Sequence, residues 1–176
     1  YSLSGAGSQL NVYNRISVGN NGDGTFTMTG GTVQAQDFFL ADSDNGSGTA
    51  TISGGTLTFT DDVHIGDQGP GDMTQSGGST VSIAGELWIG NQGGRVGSYD
   101  ISGAGTQVTV GAETHVGHDG TGTLSLSDGA VMTLSNRLYI GRNGSASGTV
   151  TISGAATQLT TNNHLAVGDN GTGLFT

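Results

Sequence analysis

The chain has 176 residues, about the length of one domain, and contains 32% apolar residues, 35 glycines, one proline and no cysteine. Its 14 acidic residues against four arginines give a formal net charge of −10, and a surface of that sign repels nucleic acid and anionic membranes, so neither is expected as a partner. Because no apolar run approaches the roughly 18 residues that cross a bilayer, we expect no membrane insertion by this segment.

The sequence repeats itself with a period of 23 to 26 residues. Aligned on a glycine that follows an apolar residue, the copies are residues 1–24, 25–48, 49–71, 72–97, 98–122, 123–148 and 149–173, and an eighth begins at 174. Repeats of this length that cannot bury a face alone but can stack are typical of solenoids. The repetition therefore outweighs the low hydrophobicity, which together with a high net charge is otherwise a signature of disorder.

One repeat, residues 49–71, contains three short segments of alternating apolar and polar residues. They are Thr49–Ser53, Thr56–Thr60 and Val63–Ile65, and a closing turn follows at Gly66–Gly71. Alternation bounded by glycine and small polar residues predicts three β-strands, each with two side chains directed inward.

The inward positions of all seven copies form columns that are apolar except at Gln75, Thr114 and Thr161. For the third strand, the first predicted column is Ile16, Phe39, Val63, Leu87, Thr114, Leu138 and Leu165. The second is Val18, Ala41, Ile65, Ile89, Val116, Ile140 and Val167. A glycine follows this second column in every copy but one, where the alignment places Asp42, and a turn with φ > 0 is the expected reason.

The pattern predicts an all-β protein, a right-handed parallel β-helix of about seven coils with three short strands per coil. Only six residues separate the last inward positions of the second and third strands, which leaves no room for a helix. A parallel strand spacing of ~4.8 Å makes seven coils a rod of roughly 34 Å. Because Tyr1 and Phe175 occupy the same column, we expect a segment of a longer rod, or a subunit that stacks end to end.

Two stretches spell the repeat most fully, Thr149–Gly154 (TVTISG) and Leu138–Gly144 (LYIGRNG). Over the whole chain this pattern resembles the repeats of bacterial autotransporter and PEP-CTERM-type surface proteins. The resemblance implies a secreted β-solenoid on the bacterial outer surface, serving as a stalk or as an adhesive passenger.

The outward positions of the third strand are the most distinctive part of the predicted surface. In successive coils they read Arg15/Ser17, Phe38/Leu40, Asp62/His64, Glu86/Trp88, Glu113/His115, Arg137/Tyr139 and His164/Ala166. An aromatic strip flanked by carboxylates suits sugar rings, which stack on a π face and hydrogen-bond to acids. The predicted ligand-binding residues are Trp88, Tyr139, His64, His115 and Glu86. The alternatives are side chains that only cover the sheet and a lateral contact with another solenoid.

A second hypothesis concerns carboxylates that gather at the corner before the third strand. Asp61, Asp62, Glu86 and Glu113, with Asp37 nearby, lie about one strand spacing apart in the predicted coils. Like charges this close favour an intervening cation, and calcium takes such oxygen ligands. Calcium is therefore a possible ligand, and no other cofactor is predicted.

The sequence favours a structural or adhesive role, with self-association or a host or matrix glycan or protein as the partner, and it predicts no enzymatic activity. Two further alternatives remain open. Paired carboxylates suit a polysaccharide-degrading enzyme. The outward pairs Thr25/Thr27, Thr49/Thr51 and Thr149/Thr151 suit an ice-binding surface, although Asp72 and Asp100 interrupt them.

Overall fold

Glycine-bounded segments of alternating side chains form 22 short strands and no helix in the computed structural model, which describes residues 1–176. Three strands make up one coil, and each strand pairs with the equivalent strand of the next coil. The predicted all-β solenoid of about seven stacked coils is therefore confirmed. Since the chain has no helix, it has none that could cross a membrane.

The strands belong to three sheets in which every pairing is parallel. The first sheet contains β1 (Ser2–Leu3), β4 (Asp23–Met28), β7 (Ser47–Ile52), β10 (Gly71–Gln75), β13 (Val96–Ser102), β16 (Thr121–Ser127), β19 (Ser147–Ile152) and β22 (Thr172–Phe175). The second sheet contains β2 (Gln9–Asn11), β5 (Thr32–Ala35), β8 (Thr56–Phe59), β11 (Thr80–Ile83), β14 (Gln107–Val110), β17 (Val131–Leu134) and β20 (Gln158–Thr161). The third sheet contains β3 (Arg15–Val18), β6 (Asp37–Leu40), β9 (Val63–Ile65), β12 (Leu87–Ile89), β15 (Thr114–Val116), β18 (Leu138–Ile140) and β21 (Leu165–Val167).

The core consists of apolar side chains stacked on their equivalents in neighbouring coils. In the first sheet Met73 is in register with Ala50 on one side and with Tyr99 on the other. These three belong to one continuous cluster of 32 buried hydrophobic residues. Inward side chains also meet within one coil, as Phe26 and Phe38 do with ring centroids 5.8 Å apart. Stacking along the rod joins these contacts, which is why a chain with few apolar residues still has a continuous core.

Gln75, which interrupts the first-strand columns, is fully buried and hydrogen-bonded. The Tyr99 hydroxyl donates to Gln75 Oε1, and Gln75 Nε2 donates to the carbonyls of Ser79 and Gln107 at 3.1 Å each. Burial raises the pKa of the Tyr99 phenol, so this hydroxyl stays protonated and can donate. A buried polar pair is tolerated here because its hydrogen bonds are made within the core.

The two threonines that interrupt the columns differ in their hydrogen bonding. Thr114 is fully buried and its Oγ1 has no hydrogen-bond partner. Thr161, in the last complete coil, donates from Oγ1 to the Asn136 carbonyl at 2.8 Å. Thr114 is therefore an uncompensated polar group inside the core.

The predicted phase of the third strand is wrong in the second coil by one residue. Phe38 and Leu40 are fully buried, whereas Phe39, predicted to be inward, is directed outward, and Ala41 lies beyond the strand. The physical reason is a shorter corner: five residues separate Ala35 from Leu40, where six are found in the other coils. The outward pair of this coil is Asp37/Phe39, not Phe38/Leu40.

The same shift corrects the prediction for the glycine column. Ala41, not Asp42, replaces glycine there, and it adopts the left-handed conformation with φ 61°. At Gly66 of the next coil φ is 72°, and an added Cβ would lie 2.2 Å from the Val96 carbonyl oxygen. The residue equivalent to Val96 in the coil above Ala41 is Pro70, the only proline of the chain.

Candidate functional site

The outward side chains in the middle of the third sheet form one stack of rings, here named the ring column. It consists of Phe39, His64, Trp88, His115 and Tyr139. Ring centroids are separated by 4.4, 5.8, 4.1 and 5.3 Å in that order, with interplanar angles of 5°, 2°, 22° and 2°. The in-register pairing of parallel strands ~4.8 Å apart produces this spacing. Four of the five predicted ligand-binding residues therefore lie in one continuous column.

The rings are stacked on one another, which limits how a ligand can reach them. His64 and His115 lie over the two faces of Trp88, so its π faces are covered while the indole remains partly exposed. The Trp88 Nε1 atom is buried and has no hydrogen-bond partner. A sugar ring cannot stack on Trp88 in this arrangement, because its approach is restricted to the edges of the rings.

An arginine lies at each end of the ring column. The Arg15 guanidinium is 5.3 Å from the centre of the Phe39 ring, and that of Arg142 is 4.4 Å from the centre of the Tyr139 ring. Both distances fall within the range of cation–π attraction. Phe39 was not identified from the sequence because of the one-residue shift, and Arg142 was not identified because it comes from a turn.

Beside the ring column, four acidic residues occupy equivalent positions just before or at the start of the third strand. This acid column is Asp37, Asp62, Glu86 and Glu113. The carboxylates of its first two members accept hydrogen bonds from the backbone of the next coil. The amide of Asp62 donates to Asp37 Oδ1 at 3.2 Å, and the amide of Glu86 donates to Asp62 Oδ1 at 2.7 Å. Asp61 is exposed, and its carboxylate accepts a hydrogen bond from Gln36 at 3.4 Å.

The four residues predicted to bind calcium therefore fall into two groups. Asp61 and Asp62 form the first group, and their carboxylates accept hydrogen bonds from Gln36 and from the Glu86 amide. Glu86 and Glu113 converge with His115, and one potential ligand atom of each lies within 4.8 Å of the others. His115 Nε2 is 3.7 Å from Oε2 of each glutamate. We name these three residues the carboxylate–imidazole cluster.

Two arginines contact this cluster. Arg142 Nη1 lies 3.4 Å from Glu113 Oε2, and 3.2 and 3.3 Å from the two ring nitrogens of His115. Arg137 Nη1 lies 3.6 Å from the other oxygen of Glu113. Glu113 is therefore paired with positive charge on both oxygens, whereas Glu86 makes no arginine contact within 4 Å.

Burial and neighbouring charges change the protonation of the cluster. Burial lowers the pKa of His115 to about 3, and the positive charge of Arg142 acts in the same direction. Burial also raises the pKa of Glu86, and repulsion from Asp62 and Glu113 adds to this effect. At neutral pH His115 is thus a neutral imidazole, so its contacts with the carboxylates are not ion pairs, and Glu86 is easier to protonate than an ordinary glutamate.

The other imidazoles near the ring column each have a carboxylate beside them. His64 Nδ1 is 3.5 Å from Asp67, which also accepts a hydrogen bond of 2.6 Å from Asn91. Burial alone would raise the pKa of Asp67, but the contacts with His64 and Asn91 outweigh it and lower this pKa. The His118 ring meets the Trp88 ring edge-on at 4.6 Å.

The cluster combines groups of different chemistry on an ordered surface. It offers two carboxylates and a neutral imidazole that can bind a cation, and a glutamate of raised pKa that can donate a proton. The two cavities lie elsewhere, and the larger, of about 570 Å³, is at the N-terminal end beside Tyr1 and Phe26. No protein-family model, curated protein or solved structure matches the chain.

Proposed function

We propose that this protein is a structural or adhesive β-solenoid of the bacterial outer surface, acting as a rigid spacer or passenger. The observation that carries the proposal is the in-register stacking of three parallel sheets along the entire chain. Because each coil is hydrogen-bonded to its neighbours in three sheets, bending the rod in any direction would stretch the hydrogen bonds on its convex side. The extracellular location is supported by the resemblance of the repeats to those of bacterial surface proteins.

A distance measurement tests the spacer role. The chain has no cysteine, so a double variant with Ser4→Cys and Ser153→Cys carries a fluorescent donor and acceptor at these two positions only. These exposed positions are equivalent and six coils apart, which predicts a separation near ~29 Å at the usual parallel strand spacing. A narrow distribution around this value supports a rigid spacer. A broad distribution, like that of a flexible chain, contradicts it.

Adhesion requires a separate experiment. Beads coated with the purified chain should adhere to host cells or matrix, whereas beads coated with the heat-unfolded chain should not. If the folded chain shows no adhesion although it is rigid, the adhesive part of the proposal fails and the spacer role remains.

Self-association is proposed for the two end faces. At the C-terminal end Leu165, Val167 and Phe175 are 40–46% exposed, although their equivalents inside the rod are buried. A further coil, from the same chain or from a second copy, would cover these residues. We expect concentration-dependent association of residues 1–176 in sedimentation experiments, weakened by Val167→Asn. A chain that stays monomeric at every concentration would exclude stacking between copies.

Glycan binding at the ring column is the first alternative. The covered ring faces direct any sugar to the ring edges and the acid column, where carboxylates can accept hydroxyl hydrogen bonds. The Trp88 indole N–H signal is a specific reporter in an NMR titration with oligosaccharides. A saturable shift that is absent in Glu86→Gln would support this alternative.

Glycoside hydrolysis is the second alternative, favoured by one observation. Glu86, with its raised pKa, has the character of a general acid, and Glu113, paired with two arginines, is placed as the second carboxylate. Their potential ligand atoms lie within 4.8 Å, near the ~5–5.5 Å separation of carboxyl groups in retaining enzymes. A reducing-end assay decides: we expect no activity, and activity that disappears in Glu86→Gln would overturn the structural role.

A further inference from the structure

The carboxylate–imidazole cluster is arranged as a metal site would be. Glu86 precedes β12, Glu113 precedes β15, and His115 lies within β15, so two adjacent coils supply all three donors. His115 Nε2 is 3.7 Å from each glutamate Oε2. Ligand atoms bound at ~2.0–2.2 Å around a tetrahedral zinc ion lie about 3.4 Å apart. The two histidine–glutamate distances are therefore within a few tenths of an ångström of this spacing, and the two glutamates, whose ligand atoms lie within 4.8 Å of each other, would close on the ion by rotation of their side chains.

The imidazole is held in place independently of any ligand. The His115 side chain is fully buried, and its ring is stacked between those of Trp88 and Tyr139 at 4.1 and 5.3 Å. This stacking fixes the plane of the ring, and Nε2 lies 3.7 Å from each of the two carboxylates, too far for an ordinary hydrogen bond. The imidazole is thus held in one orientation before any metal binds, and neither carboxylate forms a hydrogen bond with its Nε2 atom.

A second, independent observation is that a positively charged group, the Arg142 guanidinium, already contacts two of these three residues. Arg142 Nη1 lies within 3.4 Å of both Glu113 and His115, although its side chain is 30% exposed. Since the guanidinium is on a long and partly exposed side chain, it can move toward solvent when another cation arrives. From this geometry we propose that Glu86, Glu113 and His115 bind a divalent transition-metal ion such as Zn²⁺, in competition with Arg142.

The donor set determines the class of metal. An imidazole with two carboxylates suits Zn²⁺ and related first-row ions, whereas Ca²⁺ takes oxygen ligands. Three protein ligands leave a coordination position for water or for an external group. Asp61 and Asp62 are not among the three donors, so this site differs from the calcium site predicted from the sequence.

Titration of the intact, metal-free chain with Zn²⁺ by calorimetry tests the proposal. We expect saturable binding of one ion per chain. Glu86→Gln keeps the size of a partly exposed side chain and should weaken binding by at least tenfold, since even changes outside the ligand shell cost about 10–100-fold. Arg142→Gln removes the competing charge and should tighten binding by roughly tenfold, given the strength of charge interactions at this distance.

Two control variants distinguish this site from adventitious binding. Asp37→Asn alters the acid column two coils away and keeps the acceptor oxygen, and His164→Asn removes an exposed imidazole. Both should bind Zn²⁺ as the wild type does, and circular dichroism of each metal-free variant verifies folding. The proposal is overturned if the wild type shows no saturable binding, if Glu86→Gln binds normally, if Arg142→Gln binds no more tightly, or if either control weakens binding as much as Glu86→Gln.

Discussion

The polar residues inside the apolar columns differ in how fully they are hydrogen-bonded. Gln75 uses both ends of its amide, whereas the Thr114 hydroxyl has no partner. An unsatisfied buried hydroxyl is destabilising, while a satisfied one is close to neutral.

Thr114→Val should stabilise the protein. The valine replaces an unpaired hydroxyl by a methyl group of similar size, between Leu87 and Leu138 of the same column. We expect a gain of about 1 kcal/mol in the free energy of unfolding, measured by denaturant titration. Thr161→Val is the matched control and should not stabilise, because it removes the hydrogen bond to Asn136. A destabilised Thr114→Val would show that the hydroxyl has a partner.

Tyr99→Phe should destabilise the protein, because it leaves Gln75 Oε1 buried without its donor. The expected loss is about 1–3 kcal/mol. Gln75→Leu should also destabilise the protein, since it leaves the Tyr99 hydroxyl buried without an acceptor. The double variant should recover much of the lost stability, because neither member of this hydrogen bond is then left unpaired. Additive losses in this cycle would contradict the hydrogen bond.

The stability of the protein should depend on pH through His115. Burial lowers its pKa to about 3 from an ordinary 6.5, so between these values the unfolded chain binds a proton that the folded chain excludes. The stabilising contribution is therefore complete above pH 6.5 and is lost progressively as pH falls toward 3. Glu86, whose pKa is raised, acts in the opposite sense just above its ordinary 4.5.

The comparison of wild type with His115→Gln isolates this effect, because Glu86, Glu113, Arg142 and His118 remain around the position. The variant should lose stability less steeply between pH 6.5 and 5 in denaturant titrations. NMR should show the His115 ring neutral at pH 5. A ring that titrates near 6.5 would contradict its burial.

Single strands and turns show where the sequence is sufficient to predict structure and where it is not. Strict alternation predicts the strands of the third to sixth coils because only one phase buries the apolar residues. In the second coil Phe38, Phe39, Leu40 and Ala41 are all apolar, so alternation cannot assign the inward face. A corner of six residues between the second and third strands, as in the other coils, then predicts the wrong inward face for the third strand.

Four members of the ring column, all except Phe39, could be predicted for a related reason: once the register is known, outward side chains of equivalent strands must stack. Arg142 and His118 could not be predicted. They come from turns whose lengths differ between coils, and the position of a long side chain there depends on the neighbouring coil. The three residues of the carboxylate–imidazole cluster can thus be identified from the sequence, whereas Arg142, which balances their charge, cannot.

The left-handed position after the third strand allows a matched test of the turn. Gly66→Ala should be strongly destabilising, because the new Cβ would lie 2.2 Å from the Val96 carbonyl. Ala41→Gly should be neutral or stabilising by up to about 1 kcal/mol, since glycine adopts φ > 0 without the steric cost. Thermal unfolding measures both variants. A tolerated Gly66→Ala would show that the turn has a different conformation.

For the whole molecule, order depends on contacts between neighbouring coils. In such a solenoid one complete repeat should be removable, because its neighbours can pair with each other. Deletion of residues 49–71 places Phe26 beside Met73 in the same column and should leave a folded, shorter rod with lower stability. Deletion of 49–60 removes only two strands of that coil and should prevent folding, as judged by circular dichroism and proteolysis. Equal behaviour of the two deletions would contradict stacking by repeats.

Equivalent residues lie directly on one another in successive coils, and proton–proton NOEs measure this stacking most directly. We predict NOEs that link Phe26, Ala50 and Met73 side chains in sequence, and the Phe39 ring to the His64 ring. NOEs that instead place Phe38 against His64, or the absence of contacts between Phe26 and Ala50, would contradict the coil-by-coil register.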